Sequence, residues 1–255
     1  MFRVLAAAAV AAALAFLALP VLAIFVEASP GELVAALGAP GSLDALWLSL
    51  KASGLALVVI VAVGTPAAWL LATRRFRGRA AITTLIELPL VLPPAVAGIG
   101  LLAAFGPQGV LGGVLDAGGL RLVLEFAGVV VALVFVSSPF YLRGAQAAFG
   151  AIDRSWLDAS RTLGAGEART FLRVGVPAAA PGLAAALALA WGRALGEFGA
   201  TLMFAGSLQG VTQTAPLAIY ERFATDFTSA LALSAVLVCV SAAILLTIKG
   251  ARAAA

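Results

Sequence analysis

Three charged side chains sit inside runs that are otherwise apolar. Arg193 and Glu197 lie in "LAWGRALGEFGATLMFAG" (189–206), and Glu87 opens "ELPLVLPP" (87–94). Four positions apart on a helix, Arg193 and Glu197 share a face and can pair, although glutamate before the cation is the better order. Such a pair can do two kinds of work. It can pin helices together as a buried ion pair. It can also line the path of an anion, with arginine offsetting the charge and glutamate keeping it from being trapped, because conduction requires release. Both roles stay open at this level. Other chemistry is excluded more firmly. Histidine is absent, which removes imidazole acid–base catalysis and the commonest metal ligand. The single cysteine, Cys239, permits neither an internal disulfide nor a cysteine cage for a metal. The glycine run "GPQGVLGGVLDAGG" lacks the lysine and hydroxyl of a phosphate-binding loop, so this chain is no ATPase by itself.

The elements that must carry these charges are membrane spans. Of 255 residues, 63% are hydrophobic and 11% charged, with a mean hydropathy of +1.10. A soluble domain carries about a quarter charged residues. A bilayer-crossing helix needs about 20 predominantly apolar residues. Six segments qualify: 3–26, 46–72, 80–104, 122–142, 183–206 and 229–248. The first is longer than a signal-peptide core and is read as a retained span. The expectation is an all-α polytopic membrane protein, one transmembrane domain over 1–255, without a repeat or separate soluble unit.

Lysine and arginine in the short loops set the orientation. With a cytoplasmic N-terminus, the inner face receives Arg3, Arg74, Arg75, Arg77, Arg79, Arg143, Arg154, Arg161, Arg169, Arg173, Lys249 and Arg252. The outer side keeps Lys51, Arg121 and Arg222. Both termini are therefore expected in the cytoplasm, in a cell inner membrane. The net charge of +4 is too small and scattered to indicate nucleic acid.

Arg193 lies about 15 Å beyond Leu183 along a helix, near mid-membrane, and Glu87 about 10 Å from the inner face. A charge at that depth costs several kcal/mol unless it faces protein or water. The expectation is that Arg193 pairs with Glu197, Glu87 or both. Gly192, Gly196 and Ala200, spaced by four, predict a close-packed stripe. Pro93 and Pro94, following Pro89, each remove a helix donor, and such breaks survive in membranes only where protein or a water-filled cavity covers the freed backbone. They mark either a kink or a constriction in a path.

The inner loop 143–182 is the most polar part of the chain. Asp153 is placed to cap a helix with Trp156, Leu157, Ala159 and Leu163 on its apolar side, and Gly164 to stop it. A second short helix is expected from Gly166 to about Val174, broken by Pro177 and Pro181. Together they form a knob, which pattern alone allows to lie on lipid or to dock on a protein partner.

The segment "DASRTLGAGEARTFLRVGVP" resembles the EAA loop of ABC-transporter permeases. Asp158, Ala159 and Ser160 stand in the Glu-Ala-Ala positions, Gly164 has the family spacing, and Val174, Val176 and Pro177 close the motif. "LPLVLPPAVAGIGLL", "SPFYLRGAQAAFGAID", "GEFGATLMFAG" and "TQTAPLAIY" extend the resemblance to the molybdate permeases of binding-protein-dependent importers. Ser207 departs from an expected asparagine and Ala215 from an expected leucine. The resemblance implies a type I ABC importer permease fold, a homodimer, and a cytosolic ATPase dimer that binds ATP-Mg and receives the knob. It also implies a substrate-binding protein outside and an oxyanion cargo, with no cofactor in this chain. Asp158, Ala159 and Gly164 would make the ATPase contact. Molybdate, tungstate, sulfate and thiosulfate are alternatives within this reading. An ion-coupled secondary transporter is the remote one, disfavoured by the lack of an inverted repeat.

Overall fold

A computed structural model describes residues 1–27 and 29–253. The side chains of Lys249 and Arg252, counted above on the inner face, lie outside what it describes. Among the described residues the fold is all-helical, and the chain is a multi-pass membrane protein: α1 (Phe2–Glu27), α2 (Pro30–Gly38), α3 (Ser42–Thr73), α4 (Arg79–Val91), α5 (Pro94–Phe105), α6 (Gly112–Ala117), α7 (Phe126–Gly150), α8 (Arg154–Thr162), α9 (Glu167–Thr170), α10 (Val176–Leu195), α11 (Gly199–Ala205), α12 (Ala215–Phe223) and α13 (Phe227–Ala253). Five helical segments are long and apolar enough to cross a membrane, and α4 with α5 supplies a sixth if that bent pair is one span.

The core is built on α7, which packs against α3 and α10. Small residues let α7 and α10 touch backbone to backbone. A Cβ on Gly144 would meet Ala186 Cβ at 2.5 Å, and one on Gly182 would meet Ala148 Cβ at 2.5 Å. These two pairs are the small-xxx-small interface of the fold. Towards the end that carries α8, Trp69, Phe149 and Phe171 form an aromatic cluster with centroids 5.3 to 6.1 Å apart. By contrast, α1 buries no residue within the chain.

Several boundaries move. The second span starts at Ser42, and the loop before it contains α2, closed by a capping box in which Ser29 N–H donates to Glu32 Oε2 at 2.7 Å. The fourth span runs on to Gly150, so Arg143 belongs to α7 and not to the inner loop. Pro177 and Pro181 do not break the chain. A π-turn, Phe171–Gly175, joins α9 to α10, with Val176 N–H donating to Phe171 O. The wider turn accommodates the Pro177 ring, whose clash with the carbonyl four residues back is what ends an α-helix. Gly175 is demanded there, because a Cβ would come within 2.5 Å of the Trp69 ring.

The third span is broken where its prolines predict. Leu92 and Pro93 take extended geometry, and α4 and α5 diverge by 118°. The fifth is broken as well: α10 ends at Leu195, and helix resumes only at Gly199.

Candidate functional site

The two breaks meet. Gly199, first residue of α11, lies so close to Pro94, first residue of α5, that a Cβ would approach Pro94 Cβ at 2.7 Å. One turn further on, a Cβ at Gly98 would come within 2.8 Å of Ala200 O. Glu197 sits in this junction with its side chain 1% exposed. Its Oε1 accepts the Ala200 N–H at 2.6 Å, and its Oε2 lies 2.6 Å from Arg193 Nη2. By distance this is an ion pair. By angle Oε2 has no hydrogen-bond partner, so charge holds it and not a linear bond. Arg193 occupies the last turn of α10, and Glu197 precedes the first turn of α11, so each charge complements the nearer helix end.

The expected pair thus forms, but across a gap and not along one helix face. Its members differ in access: Arg193 is 25% exposed, so the cation reaches the surface of the chain and the carboxylate does not. Glu87 does not join them. It pairs with Arg143 at 2.7 Å, because α4 packs along the α8 end of α7, while α5 runs on towards the junction. Both partners are more than a third exposed, so this pair lies at the surface of the chain and not in the junction. The Gly192–Gly196–Ala200 stripe also fails as packing within this chain. Nothing approaches Gly192, and Gly196 faces only the carbonyl of its own helix end, since the break interrupts the repeat. Ala200 alone is packed, with Ala97 and Val136.

Buried hydroxyls without hydrogen-bond partners flank the junction: Ser137 follows Val136, and Thr201 follows Ala200. On another side the break opens to an apolar cleft of about 390 Å³ lined by Phe198, Pro216, Tyr220 and Leu237. Ser137 and Thr201 are both fully buried, whereas Arg193, 25% exposed, reaches the surface of the chain.

One polar segment escaped the sequence reading. Residues 207–228, expected as an outer loop, contain α12 preceded by Thr212, Gln213 and Thr214, all buried. Ala215 N–H donates to Ser49 Oγ at 2.7 Å, and Trp191 Nε1–H donates to Ser53 Oγ at 3.0 Å. Ser42, Ser49 and Ser53, all buried, share one face of α3, spaced by seven and four. That helical spacing of serines was the available signal. Gln213 also bonds Glu221, and Thr214 Oγ1 has no hydrogen-bond partner.

The knob forms as expected in its first half. Asp153 Oδ1 accepts the Ser155 N–H at 2.9 Å and caps α8. That bond holds the Asp153 carboxyl below its ordinary 3.8. Gly164 takes φ +80°, and the Ala165 N–H returns to Ser160 O at 3.1 Å, closing the helix end. Leu157 is buried, whereas Trp156 and Leu163 stand 58% and 89% exposed. Asp158 pairs with Arg161 at 3.1 Å, and Ala159 is exposed beside it. Ser160 Oγ and the buried Thr170 hydroxyl lie 3.0 Å apart and tie α8 to α9. Val174 lies in the π-turn, and Val176 and Pro177 open α10. Arg74 bonds Glu167, fastening the α3–α4 turn to the knob.

These features define a class, and comparison with known proteins agrees with it. Residues 64–253 match the family described as "binding-protein-dependent transport system inner membrane component", and the chain belongs to that family. Among its relatives, it is 42% identical over 241 residues to the molybdenum transport system permease protein ModB of Mycobacterium tuberculosis (strain ATCC 25618 / H37Rv), covering 94% of this chain and 91% of the relative. It is 39% identical over 183 residues to ModB of Escherichia coli (strain K12), covering 71% and 80%. Among solved structures, a bacterial ABC transporter that imports the acidic polysaccharide alginate matches with a TM-score of 0.75 at 18% identity over 98% of this chain and 94% of that one. The MetNI methionine ABC transporter, in an inward-facing conformation, matches at 0.66 with 19% identity, over 83% and 94%. The fold is therefore that of ABC importer permeases.

Proposed function

We propose that this chain forms the translocation pathway of an ATP-driven molybdate importer. The observation that carries the cargo is the 42% identity to a molybdenum permease across 94% of the chain. The coupling reading rests on the knob, where a capped helix, a left-handed glycine and the exposed Trp156 and Leu163 present a rigid apolar tip. A cytosolic ATPase dimer supplies nucleotide hydrolysis and receives that tip, with Asp158, Ala159 and Gly164 at the contact. Two copies of this chain enclose the path, and a binding protein delivers the oxyanion at the other face. Both termini and the knob lie on the cytoplasmic side.

Within the path, Arg193 attracts the dianion from the partly exposed end of the pair. Glu197, fixed by the Ala200 N–H, keeps the guanidinium partly neutralised so that the anion is released. The junction with Pro93, Pro94 and Gly199 is the element that must yield for passage. ATP-dependent uptake into proteoliposomes containing the chain, its ATPase and its binding protein provides the test. Labelled molybdate should enter and resist competition by excess sulfate. Sulfate uptake would replace the cargo, and uptake without ATP would remove the importer reading.

A further inference from the structure

The arginine turn that follows α3 is larger than a topological signal needs to be. Arg74, Arg75, Arg77 and Arg79 fall within six residues, and Gly78, at φ +85°, folds them back on the start of α4. Arg74 is bonded to Glu167. Among the described residues, no carboxylate forms an ion pair with the other three. Against α7 the turn leaves an open groove of about 690 Å³, into which Arg75, Arg79, Thr83, Thr84 and Gln146 converge, with Phe76 at its edge. The Thr83 and Thr84 hydroxyls donate to Arg79 O and Ala80 O, so their protons are committed and their oxygens can only accept. The groove therefore offers two guanidinium forks, an amide and hydroxyl oxygens.

On the same side of α4, two turns beyond the threonines, Leu90 and Val91 are 41% and 78% exposed and extend the groove into apolar surface. Phe76 is 39% exposed beside the arginines. Guanidinium pairs match phosphate oxygens in geometry as well as charge. Basic pockets next to membrane spans on the cytoplasmic side attract anionic headgroups. A free oxyanion would use the arginines but not the apolar face; a phospholipid uses both.

We propose that this groove binds the phosphodiester headgroup of an anionic phospholipid, with its acyl chains lying along the exposed face of α4. Arg75 and Arg79 grip the phosphate, Gln146 and the threonine oxygens reach the polar headgroup substituents, and Phe76 sits at the interface. Because α4 also carries Glu87 in its pair with Arg143, a lipid held there braces the helix that leads into the Pro93 break. The site is independent of what the chain transports.

Native mass spectrometry of the purified full-length chain, titrated with phosphatidylglycerol or phosphatidylcholine of identical acyl chains, tests this directly. Wild type should retain phosphatidylglycerol at concentrations at least tenfold lower than phosphatidylcholine. Arg75→Gln with Arg79→Gln should erase the difference. Arg75→Lys with Arg79→Lys should keep part of it, and Arg121→Gln, remote from the groove, should change nothing. Equal retention of the two lipids by wild type would overturn the proposal without recourse to any variant. So would an unchanged preference in the folded double glutamine variant. Complete displacement of phosphatidylglycerol by millimolar inorganic phosphate would reassign the groove to a free oxyanion.

Discussion

Burying a carboxylate at 1% exposure is costly, and Glu197 is tolerable only because the Ala200 N–H and Arg193 both face it. Removing one member of such a pair leaves the other charge uncompensated, which costs on the order of 3 kcal/mol or more. Arg193→Gln should therefore destabilise the chain strongly, as should Glu197→Gln to a lesser degree, because glutamine can still accept from Ala200. The double variant Arg193→Gln/Glu197→Gln should be more stable than the Arg193 single change. Denaturant unfolding in detergent reads this cycle; strictly additive losses would mean that the pair is not coupled. Transport separates the two roles that sequence leaves open. If the pair only packs helices, the folded double variant should import at near wild-type rate. If Arg193 meets the dianion, it should lose at least tenfold in uptake while remaining folded.

At the scale of elements, the predictions concern glycines and a cap. Gly164→Val forces a β-branched residue into φ +80° and should abolish coupled ATP hydrolysis and transport while leaving the chain in the membrane. Gly182→Val drives side-chain atoms into Ala148 and should cost about 1–3 kcal/mol, as overpacking does, whereas Gly192→Ala should be silent in unfolding. The Asp153 cap has a definite pH sign. Its carboxyl is depressed in the folded chain, so the stabilisation is present above its ordinary 3.8 and is lost as pH falls through the lower folded value. The protection of the α8 amides against hydrogen exchange, relative to their intrinsic rates, should fall only below pH about 4, and in Asp153→Ala should be reduced at every pH. The same elements show what sequence carries. Apolar run length reveals spans, and a carboxylate followed by a glycine at the right distance reveals the knob, because both are local effects. The break at Gly196–Phe198 has no proline to announce it, and it arises from the close approach of Pro94 to Gly199, two residues 105 positions apart. Conversely, Pro177 and Pro181 look like breakers, yet a π-turn accommodates Pro177 and α10 carries Pro181 within it. Burial of Thr212 to Thr214 was invisible for the opposite reason: polar residues read as loop until Ser49 on another helix is seen to receive the segment.

For the whole molecule, access to a reagent that cannot cross the membrane reads which way it faces. In a Cys239→Ser background, a cysteine at Arg77 should react with a membrane-impermeant thiol reagent only when the cytoplasmic face is open. One at Gly119 should react from outside. The reverse pattern would turn the chain over and detach the knob from a cytosolic ATPase. With the orientation proposed here, the segment from Glu167 to Leu195 is one helical rod of 29 residues, running from the knob to the Arg193 end of the break. At 1.5 Å per residue that is about 43 Å of stiff element. A soft joint in it is the π-turn, whose Phe171 is held by the rings of Trp69 and Phe149. Torsion applied at the knob has two places to go. Either it is delivered to Arg193 as rotation, or the π-turn takes up the twist inside its aromatic collar. The tightness of three rings thus sets the gear ratio between the nucleotide end of the machine and its gate.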